Sequence, residues 1–116
     1  MLTEQSLEQF TGTEKYYSYL CGLKLTDGVH YLATEGKCFW LLDIIASYQP
    51  KHHQVPFQLW ELNIDEEEDK RAAVITMRED TGKKALVQQR IPYTDFPLDY
   101  LKLYVIDKVI LLTSEY

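Results

Sequence analysis

A chain of 116 residues with 46% hydrophobic and 26% charged residues fits one soluble domain large enough to bury its own core. The net charge of −6 and the scatter of its 12 Lys and Arg exclude a nucleic-acid surface, which needs clustered cations to neutralise phosphates. Only two cysteines occur, Cys21 and Cys38, with no CxxC, so reduced thiols and a cytoplasmic setting are expected.

The start, MLTEQSLEQF, lacks the cationic and apolar regions of a signal peptide. Its pattern predicts a short helix over residues 3–10 capped by Thr3, with Leu7 and Phe10 on one face. EKYYSYLCGLKL reads two ways. Alternation favours an extended segment from about Tyr17, whereas Thr11 and Glu14 could form the capping box of a helix ending at Gly22. In LTDGVHYLATEG, Thr26 or Asp27 caps a helix whose apolar face is Val29, Leu32 and Ala33, and Gly36 is the expected left-handed stop. A second helix is expected from Lys37 to about Tyr48, ended by Pro50. The longest near-apolar run, Cys38 to Ala46, is far below the ~20 residues of a membrane span.

From Phe57 the period changes to two. FQLWELNI puts Trp60, Leu62 and Ile64 on one face, and AAVITMRE does the same for Ala73, Ile75 and Met77. Asp80–Lys83 is a turn with Gly82 left-handed, and KALVQQRI is the partner strand. PYTDFPLDY, with two prolines, is a loop or a single helical turn. LKLYVI and VILLTS are separated by Asp107 and Lys108, the spacing of a two-residue hairpin. The expected fold is therefore α+β in two layers, N-terminal helices on a C-terminal antiparallel meander of about five strands.

LEQFTGTEKYY, TDGVHYLATEG, WLLDIIAS and the ending LLTSEY together resemble a family of small bacterial proteins of unknown function, over nearly the whole chain. The resemblance implies a soluble single-domain bacterial protein and brings no activity, cofactor or site residue with it.

The residues that invite a chemical reading lie mostly between Gly36 and Gln54. Cys38 opens the second helix and His52 and His53 follow it, so about 16 Å of helix separates thiol from imidazole, too far for a dyad. Adjacent histidines make a poor chelate without HExxH or CxxC spacing, and no metal or cofactor is expected. The acid run Asp65–Asp69 lacks the glycine and oxygen spacing of a calcium loop and reads as a solvated connector. No phosphate-cradling or nucleophile-elbow motif occurs.

Asp43 stands out. It interrupts an apolar helix, with Ser47 one turn on and Trp40 one turn back. It is either a binding-site acid or a structural acid paired with a Lys, Arg or Tyr of the sheet. The candidate binding set is Asp43, Ser47, Trp40, His30 and Tyr31. The first expectation is a non-enzymatic binding or protein-interaction module. The apolar last strand, Val109–Thr113, would be central or would pair with a partner, a second copy among them. The alternative is a small enzyme with its site between the Asp43 helix and the sheet, Asp43 converging with His30 or Tyr31 and with His52.

Overall fold

The computed structural model describes residues 2–67 and 70–116. Three helices, α1 (Glu4–Glu8), α2 (Asp27–Glu35) and α3 (Phe39–His52), accompany one seven-stranded sheet. The strands are β1 (Tyr17–Ser18), β2 (Lys24–Leu25), β3 (Phe57–Glu67), β4 (Lys70–Arg78), β5 (Val87–Ile91), β6 (Tyr100–Ile106) and β7 (Val109–Leu112). The fold is α+β, but the sheet is neither five-stranded nor a meander. Its order is β1-β2-β7-β6-β3-β4-β5, and β2 runs parallel to β7.

Two physical causes explain the difference. The chain does not turn back beside β5. Residues 92–99 cross to the other side of β3, so that β6 pairs with β3. Arg71 holds that crossing by donating to the carbonyls of Phe96 and Leu98, while Phe96 is buried. Also, the N-terminal half is not purely helical. Its extended segment splits into two-residue strands around a 3-10 turn, Leu20–Gly22, in which Cys21 (φ 57°) and Gly22 (φ 74°) are both left-handed. The helix that Thr11 and Glu14 could have started does not form. Because β2 pairs with Val109 and Ile110 of β7 and β6 lies on its other side, the last strand is internal to the sheet, which ends at β1 and β5.

The remaining elements follow their local signals. Thr3 caps α1 reciprocally with Ser6, and Thr26 caps α2 by accepting from Val29 N–H. Gly36, the expected left-handed stop, has an ordinary helical φ; Lys37 (φ 51°) takes the left-handed position instead. Gly36 is needed for space, since a Cβ there would lie 2.8 Å from the Leu32 carbonyl and 2.9 Å from Leu2. α3 runs through Pro50 to His52. Pro50 forfeits the bond to the carbonyl four residues back and crowds it, and α3 continues for only two residues beyond it. Asp107 (φ 49°) and Lys108 (φ 68°) form the two-residue hairpin turn, both left-handed. Part of the acid run is strand rather than connector: Asp65 and Glu66 lie in β3, and Glu66 pairs with Arg71 at 2.6 Å. Glu68 and Asp69 lie outside the described residues.

One apolar cluster joins Val29, Leu32 and Ala33 of α2 with Leu42 and Ile45 of α3, Trp60 and Leu62 of β3, Ala73, Ile75 and Met77 of β4, Leu103 of β6 and Ile110 of β7. The alternation read for β3 and β4 thus selects the face that receives the helices. Among the described residues no helix is long and apolar enough to cross a membrane.

A residue far along the chain completes α2. The Glu115 carboxylate accepts from Thr26 Oγ1 (2.6 Å), Gly28 N–H (3.3 Å) and Leu112 N–H (2.9 Å). An anion there meets the positive end of the helix and its unpaired N–H groups. Gly28 permits the approach, because a Cβ would come within 2.7 Å of Glu115 Oε1.

Candidate functional site

The five candidate residues divide among different surroundings. Trp40 and Asp43 line one open depression of about 470 Å³ with Ile44, Ile91, Tyr93, Thr94 and Asp95. His30 and Tyr31 line another, of about 400 Å³, with Phe10, Tyr17 and Asp27. Ser47 lines neither and donates its hydroxyl to the Ile44 carbonyl at 2.6 Å. The depression at Asp43 does bring it together with other titratable groups, Tyr93 and Asp95, though not with His30, Tyr31 or His52.

Asp43 itself is exposed and accepts a hydrogen bond from the Tyr19 hydroxyl. Burial, then this bond and the carboxylate's charge, push the Tyr19 hydroxyl up to about 12. Its partner is a tyrosine of the segment between β1 and the 3-10 turn, a position that local pattern does not reveal. His30 stacks flat on Tyr17 at 4.0 Å and meets Phe39 edge-on at 6.5 Å. Cys38 is fully buried, and burial pushes its thiol up to about 12, which removes it as a nucleophile at neutral pH. Among the described residues no three His, Cys, Asp or Glu side chains cluster as metal ligands.

A third cavity, also of about 470 Å³, is less open to solvent than these depressions. Four parts of the chain build it: the 3-10 turn (Cys21, Leu23), the last turn of α3 (Gln49, Pro50, His53), the entry to β3 (Val55, Pro56, Gln58), and β6 with its turn (Val105, Asp107, Lys108). Its lining is mainly apolar, as ligand sites usually are. The polar floor is already satisfied. Gln58, 2% exposed, exchanges amide bonds with Gln49 (2.9 and 3.1 Å), accepts from Trp60 Nε1 (2.9 Å) and donates to the Val55 carbonyl (3.3 Å). That network fixes the C-terminal turn of α3 to β3 and holds the cavity's shape.

The backbone sets this cavity apart. Among the described residues four non-glycine residues have positive φ: Cys21, Lys37, Asp107 and Lys108. All but Lys37 line it. Such conformations cost of order 1 kcal/mol each and concentrate where the surroundings impose them. The two turns also touch, since the Lys108 ammonium lies 4.0 Å from where a Cβ on Gly22 would stand, and Lys24 N–H donates to the Lys108 carbonyl at 2.9 Å. Sequence pattern located the Asp107–Lys108 turn but gave no sign that Cys21 and His53 would face it.

Fold and cavity together define an α+β protein on a seven-stranded mixed sheet, with a concavity where the 3-10 turn and the β6–β7 turn meet the end of α3. The chain belongs to a family of unknown function (DUF6876), whose model matches residues 1–116. No curated protein and no solved structure matches it.

Proposed function

We propose that this protein is a binding module and that its ligand occupies the cavity between the 3-10 turn, the end of α3 and the β6–β7 turn. What carries this reading is the coincidence of an apolar concavity with three left-handed, non-glycine residues on its wall. A turn selected for stability alone would favour Gly or Asn at such positions. Cys21 and Lys108 keep side chains there at a backbone cost, which points to side chains retained for contact. The Trp40–Asp43 depression lacks such a signature, and Tyr93 on its rim is 74% exposed.

The test uses small probes with apolar bodies, namely indole, cyclohexanol and isobutyramide. Methyl resonances of Leu23, Val55 and Val105 are expected to shift on titration, while those of Ile44 and Ile91 stay in place. The same probes should slow alkylation of the exposed Cys21 thiol by N-ethylmaleimide, with buried Cys38 as the internal reference. Shifts confined to Ile44 and Ile91, or none at any of the five, would remove the cavity from consideration. A protein partner or a second copy would meet the free edges β1 and β5 rather than β7; sedimentation velocity across micromolar concentrations reads that association.

A further inference from the structure

Asp107 and Lys108 supply the cavity rim with one charge of each sign on consecutive residues. Neither side chain enters an ion pair or a hydrogen bond with the described residues, whereas Arg71, Arg78 and Arg90 all find carboxylates. Both residues are fixed in the left-handed turn, so the two charges leave the backbone from a defined frame. The end of α3 adds a direction. Its C-terminal carbonyls carry partial negative charge, and Gln49, Pro50 and His53 bring that end to the cavity wall. His53 Nδ1 lies 3.1 Å from the Pro50 carbonyl, which can only accept. In the neutral ring Nδ1 then carries the proton, and Nε2 is left as an acceptor.

The rim therefore carries acceptors, namely Asp107, the His53 ring and the end of α3. It also carries one cation, Lys108, whose ammonium lies near Gly22 of the 3-10 turn. Leu23, Pro50, Val55, Pro56 and Val105 supply an apolar wall. A molecule matching all three parts has an ammonium and a carboxylate on one carbon atom and an apolar body. Taking the cavity as the ligand site, we infer that it binds a free α-amino acid with an apolar side chain. The ammonium sits toward Asp107 and the end of α3, the carboxylate on Lys108, and the side chain against the apolar wall. An amine or an acid alone would leave one rim charge unmatched. Because the rim is solvated, each match is worth about tenfold in affinity rather than more.

Calorimetric titration of the full chain with L-leucine, N-acetyl-L-leucine and L-leucinamide separates the charges on one skeleton. The acetylated compound also stands for a peptide C-terminus and the amide for an N-terminus. Leucine is expected to bind about tenfold tighter than either blocked form. Asp107→Asn and Lys108→Asn, both compatible with left-handed backbone, should each weaken leucine about tenfold and leave the blocked form lacking the corresponding charge unaffected. A blocked form binding as well as leucine, or either variant binding leucine unchanged, overturns the amino-acid assignment. If none of the three binds while indole or cyclohexanol still shifts Leu23 and Val105, the ligand class is wrong and the cavity stands. If those probes also fail, the cavity reading falls with it.

Discussion

Two concave regions of this molecule have the same volume, about 470 Å³, and a mainly apolar lining, and differ in how they are built. The depression beside Trp40 and Asp43 is shallow, carries two carboxylates and no Lys or Arg, and has an exposed tyrosine on its rim. The cavity beside Cys21 and Lys108 is built by four chain segments over a saturated amide floor, with left-handed residues in its wall. Size does not separate them. What separates them is how much of the fold is committed to keeping the shape, and that difference can be measured.

The largest expected contrast is in stability. Gln58→Leu strips partners from Trp60 Nε1 and the Gln49 amide, and is expected to cost roughly 2–4 kcal/mol in urea unfolding. A loss below about 1 kcal/mol would mean that the floor is not what holds the cavity.

The next effect follows from alkali. Cys38, Tyr19 and Tyr100 are each raised to about 12, the tyrosines from 10.0 and the cysteine from 9.0. Burial is the leading cause in each, reinforced for the tyrosines by donation to Asp43 and to Glu61. A raised acid favours the protonated folded state. This stabilisation is complete below the unfolded-state values and is lost as pH climbs from about 9 to about 12. Stability should fall across that window, and Tyr19→Phe should flatten the part of the fall above pH 10. Since Tyr19 ties the segment carrying Cys21 to α3, Tyr19→Phe is expected to speed alkylation of Cys21 by N-ethylmaleimide relative to the parent at the same pH.

A smaller effect has the opposite sign. Lys108→Gly relieves left-handed strain and is expected to stabilise by about 0.5–1 kcal/mol, raising Tm by about 2–4 °C, while weakening leucine. Gain in one and loss in the other is the mark of a residue kept for contact. The smallest effect belongs to the open depression: Tyr93→Ala and Asp95→Asn should each stay within about 0.5 kcal/mol of the parent and leave the cavity's ligand response unchanged.

Much of the fold could be read locally because its signals are local. Thr26 begins α2, the alternation in β3 and β4 selects the core face, and Gly82 and the Asp107–Lys108 spacing mark turns. The sheet order could not be read so, because β6 beside β3 depends on Arg71 reaching the carbonyls of a proline-containing crossing. β1 and β2 are two residues each, too short for any period to show. At the site, sequence pattern singled out Asp43 and Trp40, which share one depression, but could not bring His30, Tyr31 or Ser47 to it. The cavity stayed hidden because its members are scattered from Cys21 to Lys108 and meet only once β2 has joined β7.

The carboxylate of Glu115 reaches across 89 residues to Thr26. At ribosomal speeds of ≈ 5–20 residues per second, the N-terminus of α2 and its Thr26 cap emerge roughly 4–18 seconds before the carboxylate that completes that end. During that interval Gly28 and its neighbours must be served by water. β2 has the same wait for β7, the strand it lies against. The cavity wall that carries Cys21 is therefore among the last parts of the molecule to take shape, and a nascent chain halted before β7 would lack it.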